Sequence, residues 1–73
     1  MRIIYTRHSK NRMRWRGITK TEVELTVNEP ENVKQIAPDR VHYFRRIRER
    51  NIRVTCAIES EKVIIISVVD KYD

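Results

Sequence analysis

The sequence predicts an α+β domain, with two N-terminal helices packed on one face of a three- to four-stranded antiparallel sheet. Three observations predict it. Residues 6–28 carry two helix starts and a glycine stop. Residues 41–69 carry apolar runs of strand length, alternating in the first two and continuous in the last. The gaps between those runs are short, as hairpins require. At 73 residues the chain reads as a single domain over 1–73. A chain of this size has a marginal core, so a shallow cleft or flat binding face is expected rather than a deep active site.

Residues 1–5 read as a short strand or an extended arm. The first helix is expected over residues 6–16, with Lys10, Asn11 and Arg14 on its polar face and Ser9 and Met13 on its inner face. His8, Arg12 and Trp15 fall at the margin, and Trp15 is expected to cover the thin core. Gly17, the only glycine, stands where a helix ends in the left-handed conformation. The second helix opens on Thr19 as N-cap, with Glu22 three residues on to complete a capping box and Ile18 and Val23 as a hydrophobic staple. Val23, Leu25 and Val27 alternate as a strand would, but the caps outweigh three alternating positions, and the helix is expected to end near Asn28, before Pro30.

The remainder reads as strands. Residues 32–36 are a weak candidate, followed by a turn at Pro38 and Asp39. In residues 41–48, Val41, Tyr43 and Ile47 share one face, and His42, Phe44, Arg46 and Arg48 share the other. Residues 52–59 alternate, with Ile52, Val54, Cys56 and Ile58 inward. Residues 63–69 are apolar on both faces, as a central strand is. With the helices on one face, Ile64, Ile66 and Val68 or their alternates need cover on the other, and 73 residues offer no second layer. A partner chain or a homodimer is the expected remedy.

Sixteen Lys and Arg against ten Asp and Glu give a net charge of +6. The bases cluster at 7–16 and 45–53, and the acids at 22–31 and the C-terminus. Clustered arginine points to a polyanion, RNA first, or to an acidic protein partner. High charge with many Ile and Val and one glycine also suits a thermophile. Cys56 stands alone, which excludes an intrachain disulfide and fits a reducing, cytoplasmic setting. Its alternation with Ile52, Val54 and Ile58 predicts a buried, inert thiol. No run is long enough to span a membrane. No cysteine–histidine spacing, carboxylate pair or Gly-rich loop suggests zinc, magnesium or a nucleotide cofactor, so none is expected.

On a helix His8, Arg12 and Arg16 fall within roughly 80° of one another, which sets one imidazole beside two permanent cations. Such a set can hold a phosphate and move a proton. Arg12 has an alternative, an ion pair with Glu22, and Arg16 suits the helix C-terminus. His42, Arg46 and Arg48 around Phe44 form a candidate RNA platform with a stacking ring, or a charged guard on an exposed edge.

The run Thr6-x-His8-Ser9-x-x-Arg12-Met13-x-x-Arg16-Gly17-Ile18-Thr19, with Glu22, Val23 and Asn28-Glu29-Pro30, resembles a bacterial domain family of unknown function marked by a T-x-H-[AS]-x-x-R-x-x-x-R-G-I signature. That family looks related to the RelE/ParE-like toxins. The resemblance implies a small endoribonuclease-like fold and a place in a toxin–antitoxin pair with an acidic antitoxin partner. His8 matches the motif histidine, and Arg12 and Arg16 its arginines. On this reading the chain binds RNA and cleaves it without metal. His8 takes the 2′-hydroxyl proton, and Arg12 and Arg46 hold the phosphate. Arg16, His42, Arg48 and Trp15 bind the strand, and Tyr72 lies near the place of a C-terminal tyrosine. The alternative is a non-catalytic module that pairs with a protein through an exposed sheet face or edge.

Overall fold

The computed structural model describes residues 2–71. The order is β1 (Arg2–Tyr5), α1 (Arg7–Arg16), α2 (Lys20–Asn28), β2 (Asn32–Ala37), β3 (Arg40–Ile47), β4 (Arg50–Glu59) and β5 (Lys62–Lys71). The strands form one sheet in the order β1-β5-β4-β3-β2. Two helices on a sheet confirm the mixed class. The strand count and the wholly antiparallel pairing need correction: there are five strands, and β1 runs parallel to β5. The N-terminal segment is drawn in because the outer edge of β5 otherwise presents unpaired backbone groups beside an apolar strand.

Each helix starts where its cap dictates. Thr6 caps α1, its Oγ1 accepting from the Ser9 N–H at 3.1 Å and donating to the Ile65 carbonyl at 2.9 Å. One side chain thus ends β1, begins α1 and ties both to β5. Ser9, fully buried, donates its hydroxyl to the Thr6 carbonyl at 2.8 Å. Gly17 ends α1 at φ 66°, where a Cβ is strained. At α2 the Thr19 N–H donates to Glu22 Oε1 at 2.8 Å and the Glu22 N–H donates to Thr19 Oγ1 at 3.1 Å, a complete capping box. Ile18 and Val23 are both buried, as the staple requires. The strand-like alternation of Val23, Leu25 and Val27 loses to these caps. The box also consumes the Glu22 carboxylate, so Glu22 is engaged at its own helix start rather than with Arg12.

The core is one cluster of Met13, Ile18, Val23, Val27, Ile52, Val54, Cys56, Val63, Ile65 and Val68, rimmed by Ile3, Tyr5, Tyr43, Ile47 and Ile58. Helix α1 lies over β5, and α2 over β3 and β4. A bulge decides which residues of β5 reach this layer. Cys56 pairs with Ile65 but Thr55 with Ser67, which leaves Ile66 as the extra residue. Before the bulge Val63 and Ile65 face the helices, and after it Val68 and Asp70 do. Ile64, which pairs with Ile4 and Ala57, faces the open side.

Two further expectations change. Trp15 is 77% exposed and covers no core, because it sits two residues from Met13, about 200° around the helix. Arg48 does not belong to β3. It forms the turn into β4 with φ 59°, as a two-residue hairpin connection demands. Residues 32–36 do form an edge strand, Asn32–Ala37, yet the helices stop short of it, so Val33 and Ile36 remain exposed. No helix among the described residues is long and apolar enough to cross a membrane.

Thr19→Ala removes half of the capping box and is expected to cost about 1 kcal/mol in urea unfolding. Alkaline pH is a second lever. Burial pushes the Cys56 thiol up from 9.0 to about 12. Burial, followed by the Glu24 hydrogen bond, also raises Tyr5. These groups stay neutral in the fold and ionise first in the unfolded chain. Their stabilisation is therefore complete below pH 9.0 and is lost as pH rises toward 12. The urea midpoint is expected to fall over that window, less steeply in Cys56→Ala, and native Cys56 is expected to resist thiol reagents.

Candidate nucleic-acid interface

The predicted site residues separate onto opposite sides of the sheet. His8, Arg12, Trp15 and Arg16 lie on α1, on the helix side. His42 and Arg46 lie on β3, at positions that face away from the helices. The register shows this directly: Arg46 pairs with Asn51 and His42 with Thr55, whereas the inward partners of β4 are Ile52, Val54 and Cys56. The expected set of His8, Arg12 and Arg46 is therefore not one site, because a strand alternates its side chains and the sheet separates the two groups. Tyr72 lies outside the described residues.

On α1, His8 is exposed and its Nε2 accepts a long contact from Arg12 Nε at 3.5 Å. The Arg12 guanidinium stands 5.5 Å from the centre of the Trp15 ring, a cation–π arrangement. His8, Asn11, Arg12 and Trp15 line a shallow groove. Trp15 is also a wall of a second groove with Arg16, Arg50 and Asp70. Arg50 in turn lines a third with Gly17, Thr19, Thr21, Glu22, Arg48 and Glu49. Arg48 thus stands at the far end of a linked series of grooves that begins at His8, rather than beside Phe44.

Arg50 is the residue that sequence reasoning missed. Its Nη1 donates to the Gly17 carbonyl at 2.9 Å, and its Nε lies 3.3 Å from Asp70 Oδ2. It joins the end of α1 to the end of β5. The signal was present, since Arg50 continues the inward alternation of Ile52, Val54 and Cys56, and a charge at such a position calls for a partner. The Asp70 side chain is 8% exposed and the Arg50 side chain 33%. The pair is thus better shielded than a surface bridge.

The open face is basic across β2, β3 and the start of β4. Its outward positions hold Asn32, Lys34, Arg40, His42, Phe44, Arg46, Asn51 and Arg53, with no carboxylate among them. His42 and Phe44 meet edge to face, with centroids 6.0 Å apart and planes at 87°. Arg40 is paired with Asp39 at 2.8 Å. Arg46 makes only a 3.5 Å contact to Asn51 Oδ1. Glu31 stands at the rim, accepting from the Arg46 backbone N–H at 2.9 Å. Toward β1 the same face turns apolar, through Ala57, Ile64 and Ile4. Among the described residues no group of His, Cys, Asp and Glu is placed to hold a metal ion.

A family model for a domain of unknown function, DUF4258, matches residues 5–70. Comparison with curated proteins and with solved structures gives no match.

Arg50→Met removes one partner of the shielded Asp70 carboxylate and the donor to the Gly17 carbonyl. It is expected to cost about 1–3 kcal/mol in urea unfolding, against roughly zero for Arg46→Met.

Proposed function

The chain belongs to the DUF4258 family, and within it we propose that this member is a small RNA-binding protein that receives single-stranded RNA on the open face of its sheet. One observation carries the reading: the His42–Phe44 ring pair sits among Lys34, Arg46 and Arg53, on outward positions of β2, β3 and the start of β4 that hold no carboxylate. Arginines neutralise the backbone, and an aromatic ring stacks a base without demanding a sequence. A sheet with rings on its exposed face suits unpaired bases, whose faces are free to stack. Two helices on the other face of an antiparallel meander support a RelE/ParE-like grouping for the domain.

The catalytic form of this proposal places His8 as the base and Arg12 as the phosphate cation. It rests on the exposed imidazole beside a guanidinium in one groove. Metal-independent cleavage needs a proton carrier and a cation at the phosphate, and these two residues supply both. Arg46, across the sheet, is assigned to binding alone. The protein-interaction alternative rests on the apolar part of the open face at Ile4 and Ile64, which suits a homodimer or a partner chain such as an acidic antitoxin.

Titration of labelled single-stranded RNA at several salt concentrations tests the binding. The expected result is an affinity that falls steeply with salt. Arg46→Glu should weaken binding about tenfold and lower the slope by roughly one ion, with the fold unchanged. Absence of binding at low salt, with a stable dimer in light scattering, would favour the protein-interaction alternative. Incubation with RNA in EDTA beside a His8→Ala control tests cleavage, which is expected in the parent chain and lost in the variant. Equal cleavage by both, or none by either, removes the catalytic form.

A further inference from the structure

The most exposed large apolar side chain in the described protein is Trp15, at 77%. Arg12 stands over one face of the ring. Trp15 also lines a groove of about 330 Å³ with Arg16, Arg50 and Asp70. That size lies within the usual range of small-ligand sites.

The charges of the groove are unequally used. Arg50 is held by Asp70 and by the Gly17 carbonyl, so it is fixed and largely neutralised. Arg16 makes no hydrogen bond or ion pair through its side chain among the described residues, and its Nε is shielded from water without a partner. The Arg16 guanidinium is therefore left over, half-buried, in the same groove as the Trp15 ring. The Nε atoms of Arg45 and Arg53 are shielded in the same way, so what sets Arg16 apart is its place in a groove with an exposed indole. The complement of a flat ring beside a spare guanidinium is a flat ring bearing an anion.

From this we infer that the Trp15–Arg16 groove is a nucleotide site: a base stacks on Trp15 and its phosphate pairs with Arg16, while Arg50 and Asp70 form the fixed floor. The site lies on the helix side and is separate from the sheet-face surface proposed above, so the two stand or fall independently. Its ligand is a 5′-phosphorylated nucleoside, either free or as the end of an RNA strand. Arg12, already stacked on Trp15, holds the ring upright for the incoming base.

Trp15 is the sole tryptophan, so its fluorescence reports on the two grooves that it lines, and the Arg16→Gln variant assigns the response to this one. Titration with AMP, with a 5′-phosphorylated tetranucleotide, with ribose 5-phosphate and with inorganic phosphate is the test. Saturable quenching is expected with the first two and not with the last two. Tighter binding of the tetranucleotide assigns the site to strand ends, and equal binding assigns it to free nucleotides. Arg16→Gln should weaken AMP about tenfold. Trp15→Leu, followed by calorimetry, should weaken it at least about fivefold. Both side chains lie outside the core cluster, so the variants fold. Arg46→Glu should leave AMP binding unchanged even where it weakens long RNA. Unsaturable quenching, or quenching that is the same in Arg16→Gln, overturns the assignment. Phosphate and AMP binding equally well also overturns it, because the base then contributes nothing.

Discussion

A chain of 73 residues can lay helices on only one face of a five-stranded sheet, and the rest of the molecule follows from that shortage. The single layer lies over β3, β4 and β5, and the buried strand residues are on β4 and β5. It stops short of β2, whose Val33 and Ile36 stay bare. Among the described residues no helix or second layer covers the opposite face. Over β2 and β3 this face tolerates exposure by carrying Lys34, Arg46, His42 and other polar groups. Over β5 and β1 it remains apolar at Ile64 and Ile4. The molecule therefore has one closed side and one open side, and the open side is divided into a basic part and an apolar part.

The closed side is assembled by a few long-range ties, each of which repairs a local defect. The bulge at Ile66 lets Val63, Ile65 and Val68 all reach the helices, where strict alternation would turn Val68 outward. The same shift turns Asp70 inward, and its carboxylate is then shielded. Arg50, inward on the neighbouring strand, answers that charge and also takes the Gly17 carbonyl left at the end of α1. Thr6 does comparable work at the other end of α1, holding the Ile65 carbonyl and the Ser9 N–H together. Helix α1 is thus pinned at both ends against β5. Its outer surface, with His8, Arg12 and Trp15, stands rigidly in water, free to meet a ligand.

What could be read before the structure was whatever chemistry is local. The caps of both helices, the glycine stop, the buried Cys56 and the pairing of β3 with β4 depend on neighbours a few residues apart. What could not be read depends on contacts distant in sequence. The parallel docking of β1 needs β5, some sixty residues on. The bulge needs the fit of β5 against β4. The exposure of Trp15 turns on about 200° of helical rotation from Met13, which the seven-residue and three-residue spacings to His8 and Arg12 conceal. Arg48 and Arg46 looked alike in the sequence, two apart on one strand. A turn then took Arg48 to the helix side and left Arg46 on the open face. The site therefore resolved into two surfaces instead of one.

Two surfaces on opposite sides of one thin domain make a distinctive demand on any bound strand. Backbone amide spectra of the protein with an excess of single-stranded RNA test that demand most directly. The account predicts that the perturbed amides fall in two separate sets. One surrounds His42, Phe44, Arg46 and Arg53 on the open face, and the other surrounds Trp15, Arg16 and Arg50 on the helix side, with the edge at Val33 and Ile36 silent. Perturbation confined to that edge or to Ile4 and Ile64, with both basic surfaces unmoved, would contradict it.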